Sequence, residues 1–396
     1  MKKVYVSFLL VIVFVFAKGQ ASTQVADSNN LFAFQLYKHI NKPGENLFFS
    51  PFSISAAMAM TYTGARNETA KQISHTLHFN SEAKHFMGGF KNLIESIESD
   101  TADTANHIQL NIANSIWIAD SLHLRPMFSL LMQTIYHTQA SHINFADTNA
   151  KNIINQWVES RTNNKIKNLI PDGGLNALTR MVLVNAIYFH AKWQKPFSKH
   201  YTITLPFYVS KHDSVNVKTM NITENYKYYE NKNLQAIELP YKGDKLSMLI
   251  FLPKGIEGLA KMEKELTNHF YSHVIDSMYS KKVKLSLPKF STKNQFQIND
   301  VLEKMGMPDA FTAKADFSAM SDENLYIDKV FHKAFIDVTE EGTEAAASTV
   351  VIMGQSMVVN PQLLAIMYVN HPFVFVIRDN TTGCILFMGK ITDPLK

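Results

Sequence analysis

Several near-continuous apolar runs in the second half of the chain constrain its fold most strongly. The longest is Val182–Phe189, and shorter runs span Leu246–Leu252, Val283–Leu287, Phe373–Ile377 and Cys384–Gly389. Runs of this kind are typical of strands that are buried on both faces. The turn-forming segments Gly243-Asp244 and Asp379–Gly383 lie between paired runs and predict hairpins. The second half is therefore predicted to be mainly β-sheet.

The first half of the chain is predicted to be mainly helical. Apolar residues recur at helical spacing over Leu31–Ile40. Ser50 and Pro51 can begin another helix, because proline is favoured in the first turn, and Gly64 lies where this helix can end. The three-and-four spacing returns over Ala150–Leu169 and predicts a third helix there.

The composition allows a large core in one domain. Of 396 residues, 46% are hydrophobic and 18% are charged, which argues against a disordered protein. Cys384 is the single cysteine, so an internal disulfide is excluded. Because no linker and no internal repeat divides the chain, we predict a single α+β domain over residues 20–396.

Residues 1–19 have the organisation of a cleavable signal peptide. Two lysines precede the apolar run Val4–Ala17. Ala17, at the end of this run, and Gly19 are small residues at the spacing of a cleavage site. This run is shorter than the roughly 20 residues that a membrane-spanning helix needs, so no membrane association is expected. The mature protein is therefore predicted to be secreted and extracellular, or periplasmic in a bacterium.

The net charge of +5 comes largely from this segment, which holds three lysines and no acidic residue. The remainder carries 36 basic and 34 acidic residues, or +2, and nucleic-acid binding is not indicated. The sequence also lacks the common hydrolase, metalloprotease, phosphate-loop and dinucleotide-binding motifs. We therefore predict no enzyme activity, no metal site and no cofactor.

An alternating segment near the C-terminus is the most distinctive feature. In a strand, Thr343, Ala345 and Ala347 would share one small, uncharged face, while Glu344 would lie on the other. No lysine or arginine occurs from Ala334 through Ile377.

This segment, Glu340–Thr349, resembles the reactive-loop hinge of inhibitory serpins. Further stretches that resemble the family occur in the family's order; they are Asn46–Ser55, Leu183–Trp193, Leu287–Phe290, Gly306–Phe311, Ala315–Ser318, His371–Phe375 and Phe387–Pro394. The resemblance implies an α+β fold of three β-sheets and eight to nine helices with an exposed reactive-centre loop, here about residues 340–362. It also implies a suicide substrate: the target protease forms an acyl-enzyme on the loop, and the cut loop inserts into the central sheet and traps it.

The resemblance assigns roles to individual residues. The hinge comprises Glu341, Gly342, Thr343, Glu344, Ala345, Ala346, Ala347 and Ser348. The polar cluster beneath the sheet opening, which the family calls the shutter, comprises Ser50, Ser53, Asn185 and His332. Trp193 lies at the breach, where insertion begins. The spacing from the hinge glycine places the cleaved bond at Ser356–Met357. A one-residue shift gives Gln355–Ser356, and Met353 and Met357 are further alternatives for the residue at the cut.

The missing basic residues narrow the target. Trypsin-like proteases need Lys or Arg to pair with a buried carboxylate, and the loop offers neither. Elastase-, subtilisin- and chymotrypsin-like serine proteases are therefore predicted to form the covalent acyl complex. Two alternatives stay open: a non-inhibitory serpin acting as carrier, chaperone or storage protein, and a cross-class inhibitor of papain-like cysteine proteases. We expect a monomer without a clear glycosaminoglycan site, because the helix predicted over Glu82–Ser99 has no basic stripe.

Overall fold

The computed structural model describes residues 22–79, 83–101, 108–343 and 364–396, and all structural statements refer to these. They contain nine α-helices. The helices are α1 (22–40), α2 (Pro51–Gly64), α3 (Asn67–Thr76), α4 (Ala83–Thr101), α5 (Pro126–Tyr136), α6 (Ala150–Arg161), α7 (Leu259–Glu265), α8 (Asn268–Asp276) and α9 (Asn299–Met305). None of the described helices is both long and apolar enough to cross a lipid bilayer.

The same residues contain fifteen strands. They are β1 (Leu47–Phe49), β2 (Gln109–Ala119), β3 (Ala140–Ile143), β4 (Met181–Lys192), β5 (Ile203–Tyr208), β6 (Ser214–Glu230), β7 (Leu234–Pro240), β8 (Leu246–Pro253), β9 (Tyr279–Pro288), β10 (Phe290–Gln297), β11 (Lys329–Val338), β12 (Gly342–Thr343), β13 (Leu364–Tyr368), β14 (Phe373–Asp379) and β15 (Ile385–Ile391). The predicted apolar runs all fall in these strands, and the predicted turns join β7 to β8 and β14 to β15.

Nine of the described strands form one sheet, in the order β1-β15-β14-β8-β7-β6-β9-β13, with β5 paired to β6. The 17-residue strand β6 joins two halves, because its first part pairs with β5 and β9 and its last part with β7 and β9. These two halves and a separate six-stranded sheet account for the three sheets that the resemblance implies. The α+β class and the expected number of helices are confirmed.

The six-stranded sheet has the order β10-β11-β12-β4-β2-β3. Strands β4 and β11 pair directly and in parallel from Val182 opposite Lys329 to Tyr188 opposite Phe335. At one end the short strand β12 lies between them and is antiparallel to both. The interface between β4 and β11 is therefore closed along most of its length and already holds a third strand at its mouth.

Helix α2 packs against this sheet and also against β15. The Ser50 side chain caps the helix by accepting the Ser53 amide N–H at 3.1 Å, and Pro51 occupies the first turn as predicted. Twelve of its 14 residues are buried, which agrees with the small apolar run in its sequence.

Helix α6 ends at Arg161, so the helix predicted over Ala150–Leu169 was wrong in its last two turns. Asn163 and Asn164 adopt positive φ values of 50° and 59°, which end the helix. Ile166 and Leu169 are nevertheless fully buried. Their apolar spacing reflects the packing of a covered loop, whose carbonyls at Lys167 and Asn168 accept hydrogen bonds from the Lys333 ammonium on β11.

Candidate functional site

A row of polar side chains crosses the centre of the six-stranded sheet. Asn114 on β2 lies opposite Asn185 on β4, and Asn185 lies opposite His332 on β11. Because residues in register share a face, their side chains meet on one side of the sheet, where Ser53 of α2 joins them. Asn185, His332 and Ser53 are fully buried.

The hydrogen bonds of this cluster run in one consistent direction. His332 Nδ1 donates to Asn185 Oδ1. Asn185 Nδ2 in turn donates to Asn114 Oδ1 and to Ser53 Oγ, both at 2.5 Å. His332 Nε2 accepts the Ser50 amide N–H at 3.2 Å. Ser50 Oγ donates to the Leu386 carbonyl at 2.6 Å. The cluster thereby ties α2 to strands of both sheets.

His332 has to be neutral for this arrangement. Its Nε2 accepts a hydrogen bond from an amide, and a protonated ring has no acceptor. Burial lowers the pKa of His332 to about 3, in the same direction as the geometry requires.

The structure brings together the four residues that the resemblance assigned to the shutter, namely Ser50, Ser53, Asn185 and His332. It adds Asn114, which sequence reasoning missed. The signal was present: Leu110, Ile112, Ile116 and Ile118 alternate along β2, and Asn114 is the single polar residue in that row.

Gly342 lies where the backbone of β12 closely approaches β4. Its φ is 155°, and a Cβ placed on it would come within 2.0 Å of the Ala191 carbonyl oxygen and 2.7 Å of Lys192 Cα. Only glycine fits this position without displacing one of the strands.

Thr343 is the last residue that the structure describes before residues 344–363, and its side chain is fully buried. Its Oγ1 lies 2.7 Å from the hydroxyl of Tyr241, which is also fully buried. Thr343 thus points inward, as the alternating pattern predicted for the small, uncharged face.

Trp193 lies beside the entry of β12. Its indole Nε1 donates to the Thr339 carbonyl at 3.0 Å, and its backbone N–H donates to the Glu341 carbonyl at 2.9 Å. Its ring stacks on Tyr241 with the centroids 4.7 Å apart. Trp193 therefore holds the turn that leads from β11 into β12.

Two ion pairs fix the same turn. Glu340 is 5% exposed and accepts from Lys289 Nζ at 2.8 Å and from Thr202 Oγ1 at 2.9 Å. Burial acts to raise the pKa of Glu340, but the hydrogen bonds from Lys289 and Thr202 outweigh it and hold the pKa below its usual value. Glu341 pairs with Lys199 at 3.0 Å.

The rest of the predicted hinge, Glu344, Ala345, Ala346, Ala347 and Ser348, lies outside the described residues. The same holds for Gln355, Ser356 and Met357 at the predicted cleavage site. Their roles stay predictions. Among the described residues, no group of three or more His, Cys, Asp or Glu side chains is placed to hold a metal ion.

Comparison with known proteins identifies the class. The family described as Serpin (serine protease inhibitor) matches residues 27–394. The chain therefore belongs to the serpin family. Serpins generally bind proteases and inhibit them, although some members are non-inhibitory.

Individual relatives match over nearly their whole length. An uncharacterized serpin-like protein of Methanosarcina acetivorans is 37% identical over 96% of this chain and 90% of its own. The human leukocyte elastase inhibitor is 37% identical over 94% of this chain and 100% of its own. Among solved structures, the crystal structure of Serpin48, a highly specific serpin of the insect Tenebrio molitor, superimposes with a TM-score of 0.83 at 33% sequence identity. The match covers 98% of the Serpin48 chain and 93% of this chain.

Proposed function

We propose that this serpin is a secreted suicide-substrate inhibitor of serine proteases, and that its cut loop inserts between β4 and β11. The observation that carries the proposal is the position of β12. Gly342 and Thr343 already form a strand at the mouth of the β4–β11 interface. A loop that continued from Thr343 in the same direction would enter that interface as a central strand.

The hydrogen-bond pattern supplies a driving force for such insertion. Strands β4 and β11 now share one parallel ladder. A strand inserted in the direction of β12 would replace it with two antiparallel ladders, one to each neighbour. Two antiparallel ladders satisfy more backbone groups than one parallel ladder and are slightly more stable per residue. The closed sheet is therefore less stable than the sheet with an inserted strand and persists only for kinetic reasons.

The row of polar side chains formed by Asn114, Asn185 and His332, here called the polar row, is the barrier to this insertion. The hydrogen bond between His332 and Asn185 spans the two strands that have to separate. Opening the sheet breaks this bond and leaves His332 Nδ1–H without its acceptor, while Asn185 keeps its hydrogen bonds to Asn114 on β2 and Ser53 on α2. Since buried polar groups are costly to leave unpaired, the cluster holds the sheet closed until the entering strand supplies new contacts.

The chemistry of the hinge favours an inhibitor over a non-inhibitory serpin. Thr343 occupies a buried position beside Tyr241, and the next two residues of its predicted face are Ala345 and Ala347. A charge on that face would lose several kcal/mol of hydration on entering the sheet and slow insertion relative to deacylation. All three positions are small and uncharged.

The target class follows from the loop sequence. The absence of Lys and Arg from Ala334 through Ile377 favours elastase-, subtilisin- or chymotrypsin-like proteases over trypsin-like ones. The name of the human relative, leukocyte elastase inhibitor, agrees with this preference. We place the cleaved bond at Ser356–Met357, with Gln355–Ser356 as the alternative register.

The test is incubation with pancreatic elastase and with subtilisin, followed by denaturing gel electrophoresis and mass spectrometry of the released C-terminal fragment. We expect an SDS-stable 1:1 complex and a fragment that begins at Met357 or Ser356. A Thr343→Arg variant should be cleaved without forming the complex. Its matched control, Thr134→Arg on the exposed side of α5, should behave as the unaltered protein. Rapid cleavage of the unaltered protein with no complex would indicate a non-inhibitory serpin.

Export is a separate part of the proposal. It rests on residues 1–19, which lie outside the described residues. N-terminal sequencing of protein recovered from the medium or periplasm of an expressing host should begin near residue 20. Recovery only from the cytoplasm, with Met1 retained, would count against it.

A further inference from the structure

One exposed apolar surface is not explained by packing or by the hinge. Ile203 on β5 is 50% exposed, and Ile366 and Tyr368 on β13 are 47% and 46% exposed. Ile366 and Tyr368 lie two residues apart and share the outward face of β13. We call these three residues the β13 patch.

The patch borders a cavity of about 370 Å³. Ile203 and Tyr368 line its rim, while Phe207 and Val217, both buried, form part of its floor. An exposed apolar rim around a concave and mainly apolar floor is a typical site for an inserted side chain of a partner.

The charge that lines the cavity is positive. Lys284 on β9 lies opposite Ile366 and lines the cavity, and Lys282 lies opposite Leu364 on the same face. The described residues that line the cavity include no carboxylate. The surface therefore fits an apolar side chain with acidic neighbours.

The position of the patch identifies its occupant. Strand β13 begins at Leu364, directly after the reactive loop, and lies at the edge of its sheet. The chain from Ser356 to Leu364 spans at most about 27 Å at roughly 3.4 Å per residue. A protease of about 220 residues has a radius of gyration of roughly 17 Å, so one bound at the cleavage site is large enough to reach the edge that β13 forms.

We infer that the β13 patch is an exosite for the body of the target protease, on the side of the loop that follows the cleaved bond. This inference rests on the proposed inhibitory function. It adds a second contact, independent of the loop sequence, that contributes to the choice among serine proteases with the same active-site preference.

The test measures docking apart from trapping. Pancreatic elastase and subtilisin, each with its active-site serine replaced by alanine, bind without reacting, so their Kd reports docking alone. The exosite variant is Ile203→Ser with Tyr368→Ser. The matched control is Met127→Ser with Leu130→Ser, which alters two exposed apolar residues on α5. Surface changes of this kind have little effect on stability, and equal melting temperatures verify this.

We expect the exosite variant to raise the Kd for at least one of the two proteases about tenfold, as the loss of central contacts at an interface typically does, while the control leaves it unchanged. With active protease, the association rate should fall by a similar factor and the yield of SDS-stable complex should stay the same. Equal Kd values for all three proteins would overturn the exosite.

Two further outcomes separate the exosite from the inhibitory function and from self-association. If the unaltered protein docks but never forms the stable complex, the inhibitory function fails while the docking measurement still decides the exosite. If the unaltered protein is a dimer by analytical ultracentrifugation and the exosite variant is a monomer with unchanged Kd, the patch binds a second copy and the inference is wrong.

Discussion

At the centre of the six-stranded sheet, the neutral state of His332 makes stability depend on pH. The unfolded chain takes up a proton on this ring below pH 6.5, whereas the folded protein does not until about pH 3. The contribution of His332 is therefore fully present above pH 6.5 and is lost as pH falls toward 3. The free energy of unfolding should fall by up to about 1.4 kcal/mol per pH unit in this window.

A His332→Gln variant isolates this effect, because the amide can accept from Ser50 and donate to Asn185 without titrating. Urea unfolding between pH 7 and pH 4 should show that the unaltered protein loses about 3 kcal/mol more than the variant. Carboxylates titrate in both proteins and cancel in the comparison. Parallel pH profiles would contradict a neutral, buried His332.

The close approach at Gly342 gives a second prediction at the residue scale. A Gly342→Ala variant cannot keep β12 between its neighbours, because the added Cβ would lie 2.0 Å from the Ala191 carbonyl oxygen. Hydrogen exchange measured by mass spectrometry should become at least about tenfold faster in the hinge peptide alone. Gly88→Ala is the control, since a Cβ there meets no atom within 4 Å and should leave hinge exchange unchanged. Unaltered hinge exchange in Gly342→Ala would mean that β12 does not depend on the glycine.

At the scale of elements, the Glu340–Lys289 pair links the turn before β12 to the short connection between β9 and β10, which joins the two sheets. Glu340→Lys places two ammonium groups in contact and leaves Thr202 without its acceptor. We expect the melting temperature to fall by about 1–4 °C, which corresponds to roughly 1–3 kcal/mol in a chain of this size.

The reversed pair, Glu340→Lys with Lys289→Glu, is the matched control and should recover most of the loss. Differential scanning calorimetry of the three proteins measures this. A single variant as stable as the unaltered protein would show that the ion pair does not hold the turn.

The sequence predicts strongly patterned elements well and long-range partners poorly. The apolar runs gave the strands, and the cap at Ser50 gave the start of α2. The spacing over Ala150–Leu169 was misleading, because a loop buried under its own side chains keeps the same apolar pattern as a helix. Asn114 was missed since its role depends on pairing with β4, and its partner Asn185 is 71 residues away.

In the candidate site too, the sequence predicted the individual residues but not their long-range partners. The family resemblance supplied the hinge, the four shutter residues and Trp193. It did not supply Tyr241, the partner of Thr343, or Lys289, the partner of Glu340. These contacts join segments that are about 50 to 100 residues apart, and only the fold brings them together.

At the scale of the whole molecule, the proposed mechanism requires a sheet that is closed but not in its most stable arrangement. The single cysteine, Cys384, is buried and unpaired, so no disulfide prevents β4 and β11 from separating. Hydrogen bonds of the polar row and the contacts of the turn before β12 hold the sheet closed instead. In the proposed mechanism, cleavage of the loop would free Thr343 and the following residues to continue the strand that β12 begins.

The melting temperature before and after loop cleavage tests this claim most directly. A fully inserted strand adds on the order of 10 kcal/mol of net hydrogen bonding and burial, which at roughly 1.2 °C per kcal/mol in a chain of this size raises the melting temperature by about 12 °C. We predict a rise of this size for protein that elastase or subtilisin has cut only in the loop. An unchanged or lower melting temperature in the cleaved protein would contradict insertion and, with it, the proposed mechanism.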